Sequence, residues 1–415
     1  MKILVLNSGS SSQKSCLYEI GDVLPDDPPG CLWQAQVEWE GEFGEVEIKT
    51  GHGFSEKKRV KASSRAEAVT HLLDTMWKGE TRAIASAAEI DVVGHRVVHG
   101  GPHFEDPVLI TEEVKSAIAG VSAFAPLHNR AELEGMKIVS ELLGSTPQVA
   151  VFDTGFHKTM PLSAAVYPGP YEWFAQGIRR YGFHGINHKY CARRAAHLLR
   201  KDPGALRLVS CHLGNGCSVA AILNGKSVDT TMGFTPLEGL MMGTRSGSVD
   251  PGILTYLMRQ RHLTGDQLDE LLNKRSGLLG VSGVSSDMRE ILAAIKGGNE
   301  RAQLAFDIYV HRLQSSIGAM IAVLGGFDAL IFTAGVGENS PEVRVAACAN
   351  LRYAGLDLDT KMNAQSPVDH DIATAESQVR VLLIRAQEDW EIARQCWNLR
   401  RGNSIGTSRK SDSNH

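Results

Sequence analysis

The feature that most constrains this chain is a repeated local plan. Short apolar, β-branched runs end in polar, glycine-rich turns, and helical stretches fill the spaces between them. The runs are "ILVLN" at 3–7, "DVVGHRVVHGG" at 91–101, "PQVAVFD" at 147–153, "LRLVSCHLGNG" at 206–216 and "DALIFTAGVG" at 328–337. Helical stretches such as "NHKYCARRAAHLLRK" at 187–201 and "RAQLAFDIYVHRLQSSIGAMIAVLGG" at 301–326 alternate with them. Such alternation predicts an α/β protein with helices covering central sheets.

A length of 415 residues is enough for two or three domains with large cores. The net charge of -4 gives no electrostatic footprint for nucleic acid or an anionic membrane, so any anion site has to be local. No apolar run is long enough to cross a bilayer, and the N-terminal "ILVL" is too short for a signal-peptide core. The seven cysteines (16, 31, 191, 211, 217, 348 and 396) are odd in number and lack paired spacing. A reducing cytoplasm is therefore expected, with Cys211 and Cys217 as small buried residues rather than zinc ligands. "LPDDPPG" at 24–30 predicts a surface loop, and "RGNSIGTSRKSDSNH" at 401–415 a disordered tail.

The turn in "LVLNSGSSSQK", residues 4–14, suits either a polar hairpin or a phosphate cradle of backbone amides, hydroxyls and a lysine. Alone it favours the hairpin slightly. "LVSCHLGNGCSVAAILNGK" at 208–226 repeats its plan of strand, polar glycine turn and second strand. The echo implies two halves built alike, each offering a turn to one ligand. A third strand and turn, "LIFTAGVGENSPEVR" at 330–344, leads into a helix. Three glycine turns at strand ends suit a nucleotide held in a cleft. The common phosphate signatures nevertheless fail. "GKS" at 225–227 has Ala220 where a Walker loop needs glycine, and the dinucleotide pattern meets Val219 or Ser340 at its third glycine.

His95, His99 and His103 lie four apart, but on strand and turn rather than helix, so they read as structural. Arg96 lies inside an apolar strand, where a buried salt bridge and an anion site serve equally well. Arg245 lies among the small residues of "MMGTRSGSVDP", which let a ligand approach the backbone and tip it toward anion binding. His184 sits between glycines in "RRYGFHG", where an imidazole can be exposed.

These stretches carry a resemblance. "NSGSSSQK", "GHRVVHGG", "APLHN", "FDTGFHKTMP", "RRYGFHG", "CHLGNG", "DTTMGFTPLEGLMMGTRSG", "SSDMRE" and "FTAGVGENSPEVR" occur in order from residue 4 onward. Together they resemble the acetate kinase (acetokinase) family of the acetate and sugar kinase/Hsp70/actin superfamily. The resemblance implies two similar α/β domains of the actin-like ATPase (ribonuclease H-like) type, with the nucleotide in the interdomain cleft. It implies an N-terminal domain at 1–153 with a C-terminal helix at 386–400 returning to it, and a nucleotide-binding domain at 154–385. It also implies a cytoplasmic homodimer.

By the same resemblance the reaction is reversible transfer of the γ-phosphoryl group of ATP to acetate, with Mg²⁺, or Mn²⁺ in its place. Asn7 and Glu388 are the expected metal residues. Lys14, the loop His212, Leu213, Gly214, Asn215 and Gly216, the segment Asp287, Met288 and Arg289, and the segment Gly335, Val336, Gly337, Glu338 and Asn339 are expected at the nucleotide. "DMRE" also reads as a helix N-cap, a role compatible with adenosine binding. Arg96 and Arg245 would supply planar forks, His184 a hydrogen bond to the phosphoryl group, and Asp153 an orienting carboxylate. Val98, Leu127, Phe183 and Pro236 would form the acetate pocket. A carboxylate acceptor is already ionised, so the site needs positioned positive charge more than a strong base.

The chain departs from the family pattern at Ile186, Asn187, Ser248, Ala386 and Gln387. The rival readings are a kinase preferring propionate or butyrate, and a non-enzymatic actin-like nucleotide switch.

Overall fold

The computed structural model describes the backbone of residues 1–9, 12–40, 43–61, 65–121 and 126–408; the side chains of 40, 65, 126–130 and 403–408 lie outside that description. The chain forms two compact units. One is Met1–Gly155 with Gln387–His415, and the other is Phe156–Ala386.

The first unit is built on strands β1 (Lys2–Ser8), β2 (Ser12–Glu19), β3 (Trp33–Glu40), β4 (Phe43–Thr50), β5 (Ser55–Lys61), β6 (Val92–Val97), β7 (Val108–Leu109) and β8 (Gln148–Phe152). They form one sheet in the order β5-β4-β3-β2-β1-β6-β8-β7. β1, β6 and β8 run parallel at its centre. All five residues of β8 are buried, which fits a continuous apolar run covered on both faces. β5 at the edge instead alternates exposed and half-buried residues, with Lys57, Lys58, Arg59 and Lys61 breaking up the open rim.

The second unit has β9 (Arg207–Leu213), β10 (Cys217–Leu223), β11 (Lys226–Thr230), β12 (Ala329–Thr333), β13 (His370–Asp371) and β14 (Arg380–Leu383). Their order is β11-β10-β9-β12-β14-β13. The two sheets share a nucleus. An antiparallel meander (β3-β2-β1 or β11-β10-β9) is followed by two parallel strands (β6-β8 or β12-β14). The sequence echo between 4–20 and 208–226 is thus the first hairpin of each nucleus.

The helix Glu388–Ser408 belongs to the first unit although it closes the sequence. Trp390, Ile392, Ala393 and Cys396 are fully buried, and burying each large apolar side chain is worth about 1.5–3 kcal/mol. Gly94 on β6 makes room for them, since a Cβ there would lie 2.6 Å from Cys396 Sγ and 2.7 Å from Ile392 Cγ2.

The structure corrects two sequence expectations. The expected tail begins as helix, because the segment after 400 is held by tertiary partners. Arg401 pairs with Asp22 and packs over the Trp397 ring, whose Nε1 donates to Gly21 O at 3.2 Å. Residues 409–415 lie outside the described residues. The third glycine turn is itself a short helix, Ala334–Asn339, entered directly from β12 through Ala334 at φ 66°. Glu338 explains it: its Oε1 accepts from Ala334 N at 2.9 Å and from Ala386 N at 2.8 Å.

Candidate active-site residues

In the first unit, the β1–β2 hairpin places Asn7 and Lys14 on the same rung. Asn7 Nδ2 donates to Glu388 Oε2 at 3.1 Å and to Asp389 Oδ1 at 2.9 Å. Burial pushes the Asp389 carboxyl up, against the Asn7 hydrogen bond that favours its charge. With Nδ2 committed, Asn7 Oδ1 and two neighbouring carboxylates remain as hard oxygen donors. That set fits a small divalent cation that keeps several waters. Among the described residues no cluster of three or more His, Cys, Asp or Glu could hold a metal by itself.

Arg96 on β6 donates from Nη2 to Asp153 Oδ2 at 2.8 Å and from Nη1 to Ser8 O at 3.3 Å, while its buried Nε has no partner among the described residues. Burial works against the guanidinium charge, but Asp153, Glu388 and Glu132 outweigh it and raise its pKa. Of the two sequence readings of Arg96, the structure shows the buried salt bridge, with Asp153. Val98 is 3% exposed beside it. Leu127 lies in the helix Pro126–Leu143, and its side chain is outside the described residues.

Glu132 was not singled out from sequence. It is 2% exposed, accepts from Val98 N at 3.0 Å and, among the described residues, leaves Oε2 without a partner. Burial pushes its carboxyl up to about 8, with Arg96 pulling the other way. Because the folded group holds its proton to higher pH than the unfolded one, at 4.5, stability is full below that value and falls as pH rises through about 8. Glu132→Gln keeps the acceptor for Val98 and removes the titration. The variant is expected to gain on wild type by roughly 1–4 kcal/mol between pH 5 and 9, read as a widening Tm gap. Parallel melting curves at both pH values would contradict a neutral Glu132.

In the second unit, His184 adopts a left-handed backbone (φ 58°, ψ 22°) just before the helix Gly185–Leu199. A non-glycine residue held there often marks a functional position. Its ring stacks on that of His212 with centroids 4.0 Å apart, and its Nδ1 lies 2.9 Å from Ser218 Oγ. Arg245 Nη1 donates to Pro236 O at 3.0 Å, which also locates Pro236. A Cβ added at Gly216 would lie 3.4 Å from both Arg245 Nη1 and His184 Nε2. Glycine there leaves open the space on which two side-chain nitrogens converge. Phe183, 1% exposed, contributes its carbonyl to His157 Nε2 at 3.1 Å.

The hairpin turn Gly214–Gly216 closes with Gly214 N donating to Gly216 O at 3.0 Å. Beside it lies a cavity of about 540 Å³, within the usual range of small-molecule sites. Gly214, Asn215, Asp287, Met288, Arg289, Gly335, Val336 and Asn339 line it, joined by Tyr309, which was not foreseen. His212, Leu213, Gly216, Gly337 and Glu338, also expected at the nucleotide, do not line it. Leu213 is fully buried, and the Glu338 carboxylate is turned onto the backbone amides described above. Asp287 serves as N-cap, accepting from Arg289 N at 2.8 Å, and also pairs with the Arg289 guanidinium, which lowers its carboxyl pKa.

Two departures have visible consequences, and a third, Ala386, acts only through a backbone N–H that any residue but proline would supply. Asn187 Nδ2 lies 2.8 Å from His212 Nδ1 and can only donate, so His212 carries its proton on Nε2. Ser248 Oγ accepts from Gly239 N at 3.0 Å and ties the two ends of the Arg245 loop together. Ala386 contributes its N–H to Glu338.

The family model described as the acetokinase family matches residues 2–394. The chain belongs to the acetokinase family. An acetate kinase of Cyanothece sp. is 59% identical over 406 residues, covering 97% of this chain and 100% of the relative. The crystal structure of Porphyromonas gingivalis acetate kinase is 43% identical with a TM-score of 0.85, covering 95% of this chain and 98% of that one. A propionate kinase from Francisella tularensis is 36% identical with a TM-score of 0.86 and the same coverages. The two sheet nuclei are accordingly the two α/β domains of the actin-like ATPase architecture of the acetokinases. Among the described residues, no helix is long and apolar enough to cross a membrane.

Proposed function

We propose that the protein catalyses reversible, direct transfer of the γ-phosphoryl group of ATP to acetate, giving acetyl phosphate and ADP. The observation that carries this reading is the convergence of His184 Nε2 and Arg245 Nη1 over Gly216, beside a cavity of nucleotide size. Arg245 and His184 donate to the equatorial oxygens on which charge is spread in a loose transition state. Arg96, held by Asp153 and Ser8 O, presents its fork to the acceptor carboxylate. Asp153 orients Arg96, and no strong base is needed because the acceptor is already ionised. Lys14 and the Gly214–Gly216 turn hold phosphates, and the cavity takes adenosine. Asn7 and Glu388 would hold Mg²⁺, or Mn²⁺ in its place, which neutralises phosphate charge when bound. We extend the reading to a cytoplasmic homodimer on the strength of the family resemblance.

The 59% identity to an acetate kinase, against 36% to a propionate kinase, favours acetate as the acceptor. Buried Val98 limits the pocket in this reading. Acyl-hydroxamate formation from MgATP with acetate, propionate and butyrate tests it. Acetate should give the strongest signal, and Val98→Ala should shift the propionate-to-acetate ratio of kcat/KM upward by roughly 10-fold, as one methylene is worth about 1–3 kcal/mol. A wild-type preference for propionate would keep the mechanism and overturn the assignment to Val98. ATP binding without any acyl product would favour the nucleotide switch.

A further inference from the structure

Ser218 lies on β10 across from His212 on β9 and is fully buried. Its Oγ is 2.9 Å from His184 Nδ1 and 2.8 Å from His188 Nε2. His188 is one turn into the helix that His184 opens, with its backbone N–H donating to His184 O at 2.9 Å. Its other ring nitrogen, Nδ1, lies 2.9 Å from Ser210 Oγ. Ser210, His188, Ser218 and His184 therefore form one unbroken hydrogen-bonded chain.

Each hydroxyl in that chain has one proton to give, and a neutral imidazole has one. His188 is neutral, since complete burial pushes its pKa well below the ordinary value and His157 and His212 act in the same direction. Two directions of donation run unbroken along the chain for a neutral His184. In one, Ser210 donates to His188 Nδ1, His188 Nε2 donates to Ser218, and Ser218 donates to His184 Nδ1. The His184 proton then sits on Nε2, the atom beside Arg245 Nη1 at Gly216. In the other, every bond reverses, so His184 turns a bare Nε2 lone pair outward and the buried Ser210 hydroxyl is left, among the described residues, without an acceptor for its proton. An anionic phosphoryl oxygen accepts from N–H and is repelled by a lone pair.

We propose that Ser218, His188 and Ser210 are positioning residues that hold neutral His184 in its Nε2–H form, ready to donate to the transferring phosphoryl group. The proposal rests on the assignment of His184 to that group made above. His157 supports the same end. Its Nε2 faces Phe183 O at 3.1 Å and must donate, while its Nδ1 lies 2.7 Å from Ser227 Oγ. This pins the peptide immediately before His184. The titratable and charged groups facing the His184 ring are His212 from β9, Arg245 from its loop and, through Ser218, His188.

The test begins with His184→Ala in the full chain with MgATP and acetate. Retained activity there would remove His184 from the reaction and the proposal with it. With that variant inactive, Ser218→Ala is expected to lose about 10-fold or more in kcat at pH 8, with both KM values within about twofold. Ser210→Ala should show the same trend more weakly. ¹⁵N-histidine NMR, with the His184 signals identified by their loss in His184→Ala, should read Nε2–H in wild type and a tautomer mixture in Ser218→Ala. No loss in Ser218→Ala, or a loss with His184 still in its Nε2–H form, overturns the proposal and leaves the role of His184 standing.

Discussion

Arg245→Ala is expected to lower kcat for acetyl phosphate formation by about 10²–10³-fold, the scale of losing one preorganised donor at a developing anionic charge. The reason is local. Pro236 O holds one guanidinium nitrogen at 3.0 Å, and that nitrogen shares the space over Gly216 with His184 Nε2. Alanine removes the donor while the Gly239–Ser248 hydrogen bonds still close the loop. Near-UV circular dichroism and ATP binding should therefore change little. Wild-type turnover in Arg245→Ala would remove the phosphoryl assignment from this loop.

Arg344→Met should give the largest change in stability. The Arg344 guanidinium is fully buried and, among the described residues, makes no ion pair with a carboxylate. Instead it gives its hydrogens to Asn363 Oδ1 and O, Gly337 O, Glu338 O and Ser366 Oγ, at 2.7–2.9 Å. Burial lowers its pKa to about 10, so it stays charged at neutral pH. That charge lies at the C-terminal carbonyls of the helix Ala334–Asn339, where a cation is favourable. Methionine fills comparable volume and leaves those acceptors unmet, an expected loss of roughly 3–5 kcal/mol or on the order of 10 °C in Tm. ATP should also lose affinity, since Gly335, Val336 and Asn339 line the cavity. Denaturant melts and nucleotide titrations of the variant read both effects. An unchanged midpoint would contradict the structural role given to this cage.

What the sequence made legible was whatever its local chemistry dictates. Hydroxyl and glycine turns between β-branched runs announced both hairpins, and Arg96 and Arg245 stood out because charge in such settings needs a partner or a ligand. Asp287 was readable as a helix N-cap, which it is, and it also lines the cavity. Other features depend on partners far along the chain. Glu132 sits in a helix with Glu134 and Glu141, and no neighbour in sequence marks it as the buried one. The Ser218–His188 link joins a strand to a helix 30 positions away. The helix past residue 400 forms against Gly21 and Asp22, which its own polar composition does not reveal. The 334–339 segment reads as a turn by composition, yet capping by Glu338 and the carbonyl contacts of Arg344 make it a helix.

The measurement closest to the central claim is ³¹P NMR of the purified protein with MgATP and acetate, followed by the reverse reaction from ADP and acetyl phosphate. The account predicts acetyl phosphate and ADP appearing in equal amounts only when acetate is present, and ATP regenerated in reverse. ATP that stays intact, or that yields only ADP and inorganic phosphate whatever acid is supplied, would contradict it.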